Sequence, residues 1–134
     1  MRERITDCVS GGQSFAIETT LAGRTILHTM VECKSSGMIV VLHYIGVDTL
    51  ALAKLRVTER VGLGGHGVPE ADMNRRFSRS MENVRPALDI VDFAYFYDNS
   101  TRNRFRLVAK KEPPGSLVVL EMGIAWLERC LAPR

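Results

Sequence analysis

Met38-Ile39-Val40-Val41-Leu42-His43-Tyr44-Ile45 is a nearly unbroken run of β-branched and apolar side chains. Branching at Cβ stiffens χ1 and favours extended backbone. A continuous apolar run, as opposed to an alternating one, marks a strand covered on both faces, the usual state of strands in parallel sheets. Parallel neighbours must be joined by long crossovers, most often helices. This one segment therefore predicts a layered α/β fold, and its flanks agree. Ile26, Leu27, Met30 and Val31 recur at helical spacing before it, with Gly37 as a stop. After it, Gly46-Val47-Asp48 turns into a helix from Thr49 to about Val61, with Leu50, Ala53, Val57 and Val61 facing inward.

The rest of the chain falls into similar pieces. Ile5, Cys8 and Val9 give a helical pattern that opens at Met1 without a capping residue and ends at Gly11-Gly12. Phe15 to Glu18 reads as a first short strand. Gly62 to Gly67 is a hinge, and Pro69 starts a polar helix with Glu70 and Asp72 in its first turn. A second helical piece runs from Ser80 to about Leu88, so that residues 62–88 form a mobile lid within a single domain. Val91 to Tyr97 is an aromatic strand read as buried, Asp98-Asn99-Ser100 a turn, and Phe105 to Ala109 a further strand. Pro113-Pro114-Gly115 turns, Leu117 to Leu120 extends, and Met122 to Leu131 is a closing helix with Met122, Trp126 and Leu127 as core or docking residues.

Composition narrows the function classes. The 134 residues carry 18 Lys and Arg against 15 Asp and Glu, a net +3. That suits an anionic ligand but is too weak to argue for nucleic acid. Cys8, Cys33 and Cys130 are odd in number and form no C-x-x-C, so neither a disulfide framework nor a zinc site is expected. The charged start has no apolar stretch of signal-peptide length, and no run approaches a membrane span. The expectation is a soluble, cytoplasmic protein.

In an open α/β sheet, ligands collect beyond the carboxyl ends of strands. Three segments would converge there: Glu18-Thr19-Thr20, Gly46-Val47-Asp48 and Asp98-Asn99-Ser100. Glu18 either accepts a ligand hydroxyl or holds a magnesium-bound water, or else caps the following helix. Arg75, Arg76 and Arg79 follow the glycine hinge. Planar guanidinium forks stabilise the charge that phosphoryl transfer spreads over phosphate oxygens. The same three arginines also fit a plain solvated helix face. His66 either donates to a phosphate or fills a loop, whereas His28 and His43 read as structural. No G-x-x-x-x-G-K-[ST] loop occurs anywhere in the chain.

Phe15-Ala16-Ile17-Glu18-Thr19-Thr20-Leu21-Ala22-Gly23, Gly64-Gly65-His66-Gly67-Val68-Pro69-Glu70, Asn74-Arg75-Arg76-Phe77-Ser78-Arg79-Ser80 and Tyr97-Asp98-Asn99-Ser100, taken in that order, resemble the zeta-toxin family over about Arg2 to Val119. The resemblance implies a three-layer, P-loop kinase-like parallel sheet with a helical lid, here lacking its N-terminal P-loop strand. It implies ATP or GTP with magnesium as donor, a UDP-activated amino sugar as acceptor, and an antitoxin as possible partner. Carried over, Glu18 and Thr20 would line the acceptor site. Arg75, Arg76, Arg79 and His66 would bind donor phosphates, and Asp98, Asn99 and Ser100 would lie near the nucleotide base. The phosphate loop and the catalytic base are expected to precede residue 1. Without them the chain is expected to be inactive alone, with a gap in its sheet. The alternative is a non-catalytic fragment that binds nucleotide or a partner chain, or a homo-oligomer that heals its open edge.

Overall fold

The computed structural model describes residues 2–101 and 104–133. The expected opening of the first helix at Met1 lies outside them. Along the chain run α1 (Arg2–Ser10), α2 (Arg24–Ser35), β1 (Val41–Gly46), α3 (Leu50–Gly62), α4 (Glu70–Ile90), β2 (Phe93–Asp98), β3 (Arg106–Lys111), β4 (Val118–Val119) and α5 (Ala125–Leu131).

Local chemistry sets several of these boundaries. Thr49 stands in extended backbone before α3, and its hydroxyl accepts the Leu52 N–H at 3.1 Å. It thereby satisfies one of the donors that a helix start leaves unpaired. Gly37 ends α2 at φ +79°, a left-handed turn that lets the Met38 N–H reach back to the Cys33 carbonyl at 3.0 Å. At the far end of α4, the Lys111 ammonium donates to the Leu88 and Val91 carbonyls at 2.6 and 2.8 Å. A cation at a helix C-terminus meets both the unpaired carbonyls and the negative end of the helix dipole.

The four strands form one sheet in the order β1-β2-β3-β4. β1 and β2 are parallel, with Leu42 beside Ala94, Tyr44 beside Phe96 and Gly46 beside Asp98. The β2–β3 and β3–β4 pairs are antiparallel, and a register shift lies between Phe96 and Tyr97. This corrects the expected three-layer parallel P-loop sheet. The connection from β2 to β3 spans only residues 99–105, shorter than the dozen or more residues a parallel crossover requires. The chain must turn back on itself there. The expected gap is absent as well, because β1 pairs with β2 directly.

Helices cover one face only. Leu42, Ala94, Phe96 and Ala109 point inward and pack with Met30 of α2, Val84 and Ala87 of α4, and Trp126, Leu127 and Cys130 of α5. Phe96 and Trp126 are fully buried, and burial of a side chain of the Phe class contributes about 1.5–3 kcal/mol. The residues that alternate with them face solvent: Val41 is 47% exposed, Ile45 56% and Val118 53%. Gly46 is where the layers come closest. A Cβ added there would lie 2.3–2.4 Å from the Trp126 indole, so the ring rests directly on the glycine backbone.

Candidate functional site

Phe15–Glu18, expected as a strand, is not one; it is irregular chain that keeps a two-residue burial rhythm, with Phe15 and Ile17 half-buried. It leads into a strained turn. Leu21 has φ +57°, a left-handed conformation in a fully buried leucine, and a bulky residue adopts it only when its surroundings enforce it. Two hydrogen bonds do so. The Leu21 N–H donates to the Thr19 hydroxyl at 3.1 Å, and its carbonyl accepts from the Asn83 amide on α4 at 2.7 Å. The Leu21 side chain is part of the core. Strain of this kind costs of order 1–3 kcal/mol and gathers at functional sites.

Beside this turn lies a cleft of about 980 Å³. It runs along the free edge of β1, bounded by residues 15–21, by Ile26, Met30 and Cys33 of α2, by Ala53, Val57 and Arg60 of α3, and by Met73, Arg76, Phe77 and Ser80 of α4. Most of the wall is apolar, with a few polar groups turned into it, the pattern of small-molecule sites. The polar groups are Glu18, Thr19, Thr20, Thr29, His43, Tyr44, Arg60, Arg76 and Ser80. Ser80 is held by the Tyr44 hydroxyl at 3.0 Å, and burial pushes the Tyr44 phenol up to about 12, so it stays protonated. Glu18 and Thr20 are exposed and make no side-chain hydrogen bond among the described residues.

The cleft therefore unites Glu18 and Thr20 with Arg76 and separates them from the other proposed site residues. Arg76 sits 3.7 Å from the Asp72 carboxylate, which also holds Arg75 at 2.7 Å. Arg75 and Arg79 do not line the cleft, and Arg79 has no ion pair among the described residues. His66 is exposed on the α3–α4 connection, where its carbonyl accepts from Arg60 at 3.4 Å. The second half of the expected lid is anchored, since Val84 and Ala87 are fully buried in the core.

Asp98, Asn99 and Ser100 form a structural joint at the ends of β1 and β2. The Asp98 carboxylate, 2% exposed, accepts from the Ser100 hydroxyl (2.6 Å), the Ser100 N–H (3.3 Å), Arg106 (2.9 Å) and the Trp126 indole N–H (2.8 Å). Burial pushes its pKa up, but the bonds from Ser100, Arg106 and Trp126 together outweigh burial and hold it below the ordinary carboxylate value. The Ser100 hydroxyl also accepts the Asp48 N–H, and the Asn99 N–H donates to the Gly46 carbonyl. The Asp98 carboxylate and the Ser100 hydroxyl are thus engaged within the protein.

Two histidines read as structural from sequence, His28 and His43, are exposed. His43 stacks on Tyr95 and Tyr97 on the open side of the sheet. Arg60 and Asn83 belong to the site, yet no local pattern announces them. Asn83 meets its partner across 62 residues of sequence.

The chain is 35% identical over 63 residues to an uncharacterized protein of Haemophilus influenzae. The matched stretch covers 47% of this chain and 45% of that protein, so the chain spans less than half the length of the relative. No family model matches the chain. No solved structure matches it.

Among the described residues, no helix is long and apolar enough to cross a membrane.

Proposed function

We propose that the cleft binds a small, hydroxyl-bearing molecule that carries a phosphate or diphosphate, and that it forms the acceptor side of a phosphotransferase of the zeta-toxin type. The observation that carries this reading is the meeting of Glu18, Thr20 and Arg76 around the strained Thr19–Leu21 turn in one largely apolar cleft. The Glu18 carboxylate, without a partner among the described residues, accepts hydrogen bonds from sugar hydroxyls, and the Thr20 hydroxyl adds a donor. The Arg76 guanidinium answers a phosphate with two parallel N–H groups. Its contact with Asp72 is loose enough to be exchanged for a stronger one. Arg60 supplies a second cation on the same wall. A UDP-amino sugar has both halves of this chemistry.

Nucleotide triphosphate with magnesium fits the described residues less well. The cleft offers guanidinium groups but no lysine, and no ring of backbone N–H groups that would cradle β- and γ-phosphates.

Calorimetric titration with UDP-N-acetylglucosamine tests it. The expected result is saturable binding that weakens about tenfold in Arg76→Ala, the scale of one exposed charge-assisted contact. Glu18→Gln should weaken it less, and Arg79→Ala should leave it unchanged. Equal losses in Arg76→Ala and Arg79→Ala would reduce the effect to net charge, and no heat at millimolar ligand would end the proposal.

A further inference from the structure

The outward face of the sheet is uncovered, and its chemistry is of one kind. The register puts Val41, His43 and Ile45 of β1 beside Phe93, Tyr95 and Tyr97 of β2. Leu107 lies beside Tyr97, Lys110 beside Tyr95, and Val118 beside Lys110. The three rings of His43, Tyr95 and Tyr97 stack at centroid distances of 5.2 and 5.9 Å. Val41, Ile45, Leu107 and Val118 are each 39–56% exposed. With part of each of nine side chains open, against about 150–250 Å² for a whole aromatic, the face offers on the order of 600 Å². That is at the upper end of the about 300–600 Å² typical of the largest patch on a monomer, and it approaches from below the ~800 Å² that each partner gives to a standard interface.

The charges on this face select its occupant. Lys110 is matched by Glu112 at 2.7 Å, and Glu112 also accepts from the Tyr95 hydroxyl at 3.1 Å. The patch is thus neutral although the chain is +3. Among the described residues it offers no unpaired cation to a polynucleotide or an anionic lipid surface. An apolar centre bordered by one positive and one negative group is self-complementary under a two-fold axis, where Lys110 of one copy meets Glu112 of the other.

We infer that this face is a homodimer interface, two copies stacking sheet on sheet about 10 Å apart with their strands roughly aligned. Tyr95 and Tyr97 stand at its centre, and at its margin the β1 residues Val41, His43 and Ile45 also line the ligand cleft. Leu107 and Val118 are the informative positions, because they belong to the face and do not line the cleft.

Sedimentation equilibrium from about 1 µM to 1 mM on the full chain is the test, with Leu107→Lys and Val118→Lys. Leu63→Lys, a change at a residue 90% exposed on the α3–α4 connection, serves as control. Thermal melting verifies that each variant is folded. The expected result is a concentration-dependent dimer, weakened at least tenfold in both face variants and unchanged in the control. Amide shifts on dilution should centre on Tyr95, Tyr97 and Leu107. A strict monomer at 1 mM, a dimer indifferent to both variants, or dilution shifts confined to the cleft would each overturn the inference. So would a monomer that uses this face to bind a polynucleotide or lipid vesicles.

Discussion

Gly46→Ala is the substitution whose consequence can be worked most closely from the geometry. The added Cβ would sit 2.3–2.4 Å from three carbons of the Trp126 ring, where ordinary contact begins near 3.4 Å. Either the fully buried ring or the β1 backbone must move by about an ångström. The core around Trp126 is close-packed, and overpacking of this kind costs about 1–3 kcal/mol. A displaced indole also loses its 2.8 Å bond to the Asp98 carboxylate, a hydrogen bond to a charged group worth about 1.5–3 kcal/mol. The sum, about 2.5–6 kcal/mol, is a large share of the 5–15 kcal/mol that holds a domain together. At roughly 3–5 °C per kcal/mol for a chain of this size, Tm should fall by about 8–30 °C. Calorimetry or circular dichroism melting measures it. A double-variant cycle sharpens the test, since Gly46→Ala should cost far less in a Trp126→Leu background, where the ring is gone. A Tm within about 2 °C of the parent, or strict additivity in the cycle, would show that the ring does not rest on Gly46.

Three further outcomes follow from the same structure. Asp98 is held below its ordinary value of 3.8 in the folded chain, so it contributes stability that is complete above pH 3.8 and is lost as pH falls through its folded value. Asp98→Asn should therefore lower Tm at neutral pH and converge with the parent in acid, and a gap that stays constant to pH 2 would contradict this. Burial pushes the Cys130 thiol up to about 11 and also raises that of Cys33, whereas Cys8 is partly exposed. Ellman's reagent on the native protein should thus modify one thiol quickly and the other two only on unfolding, and three equal rates would refute that assignment. Tyr44→Phe should remove the bond to Ser80 and the contact with Cys130 at the cleft wall, for about 1–2 kcal/mol of stability read by urea denaturation; an unchanged midpoint would contradict this.

Periodicity and turn chemistry carried much of the fold. The Thr49 start of α3, the Gly37 stop of α2 and the parallel partnership of the 38–45 run were all written locally. What failed was the inference from an unbroken apolar run to two covered faces. Val41, His43 and Ile45 are exposed on one side, so the apolar run reflects one buried and one open face that are both apolar. The aromatic stretch 91–97 misled in the same way, since Tyr95 and Tyr97 alternate outward while Ala94 and Phe96 are buried. Two helical pieces, 69–79 and 80–88, proved to be one helix that continues through Pro86. Its packing through Val84 and Ala87 outweighs the lost backbone hydrogen bond. Within the site, Glu18, Thr20 and Arg76 were legible as chemistry-bearing residues. Their separation from Asp98-Asn99-Ser100 was not, because the partners that consume Asp98, namely Arg106 and Trp126, come from elements later in the chain. Met122, read as core or docking, is 82% exposed.

The most direct test of the cleft assignment is a two-dimensional amide NMR titration of the full chain with UDP-N-acetylglucosamine. The expected result is saturable shifts at Glu18 to Leu21 and at Arg76, with Asn99 and Ser100 unmoved. Shifts centred on residues 98–100, or none at all at millimolar ligand, would contradict it.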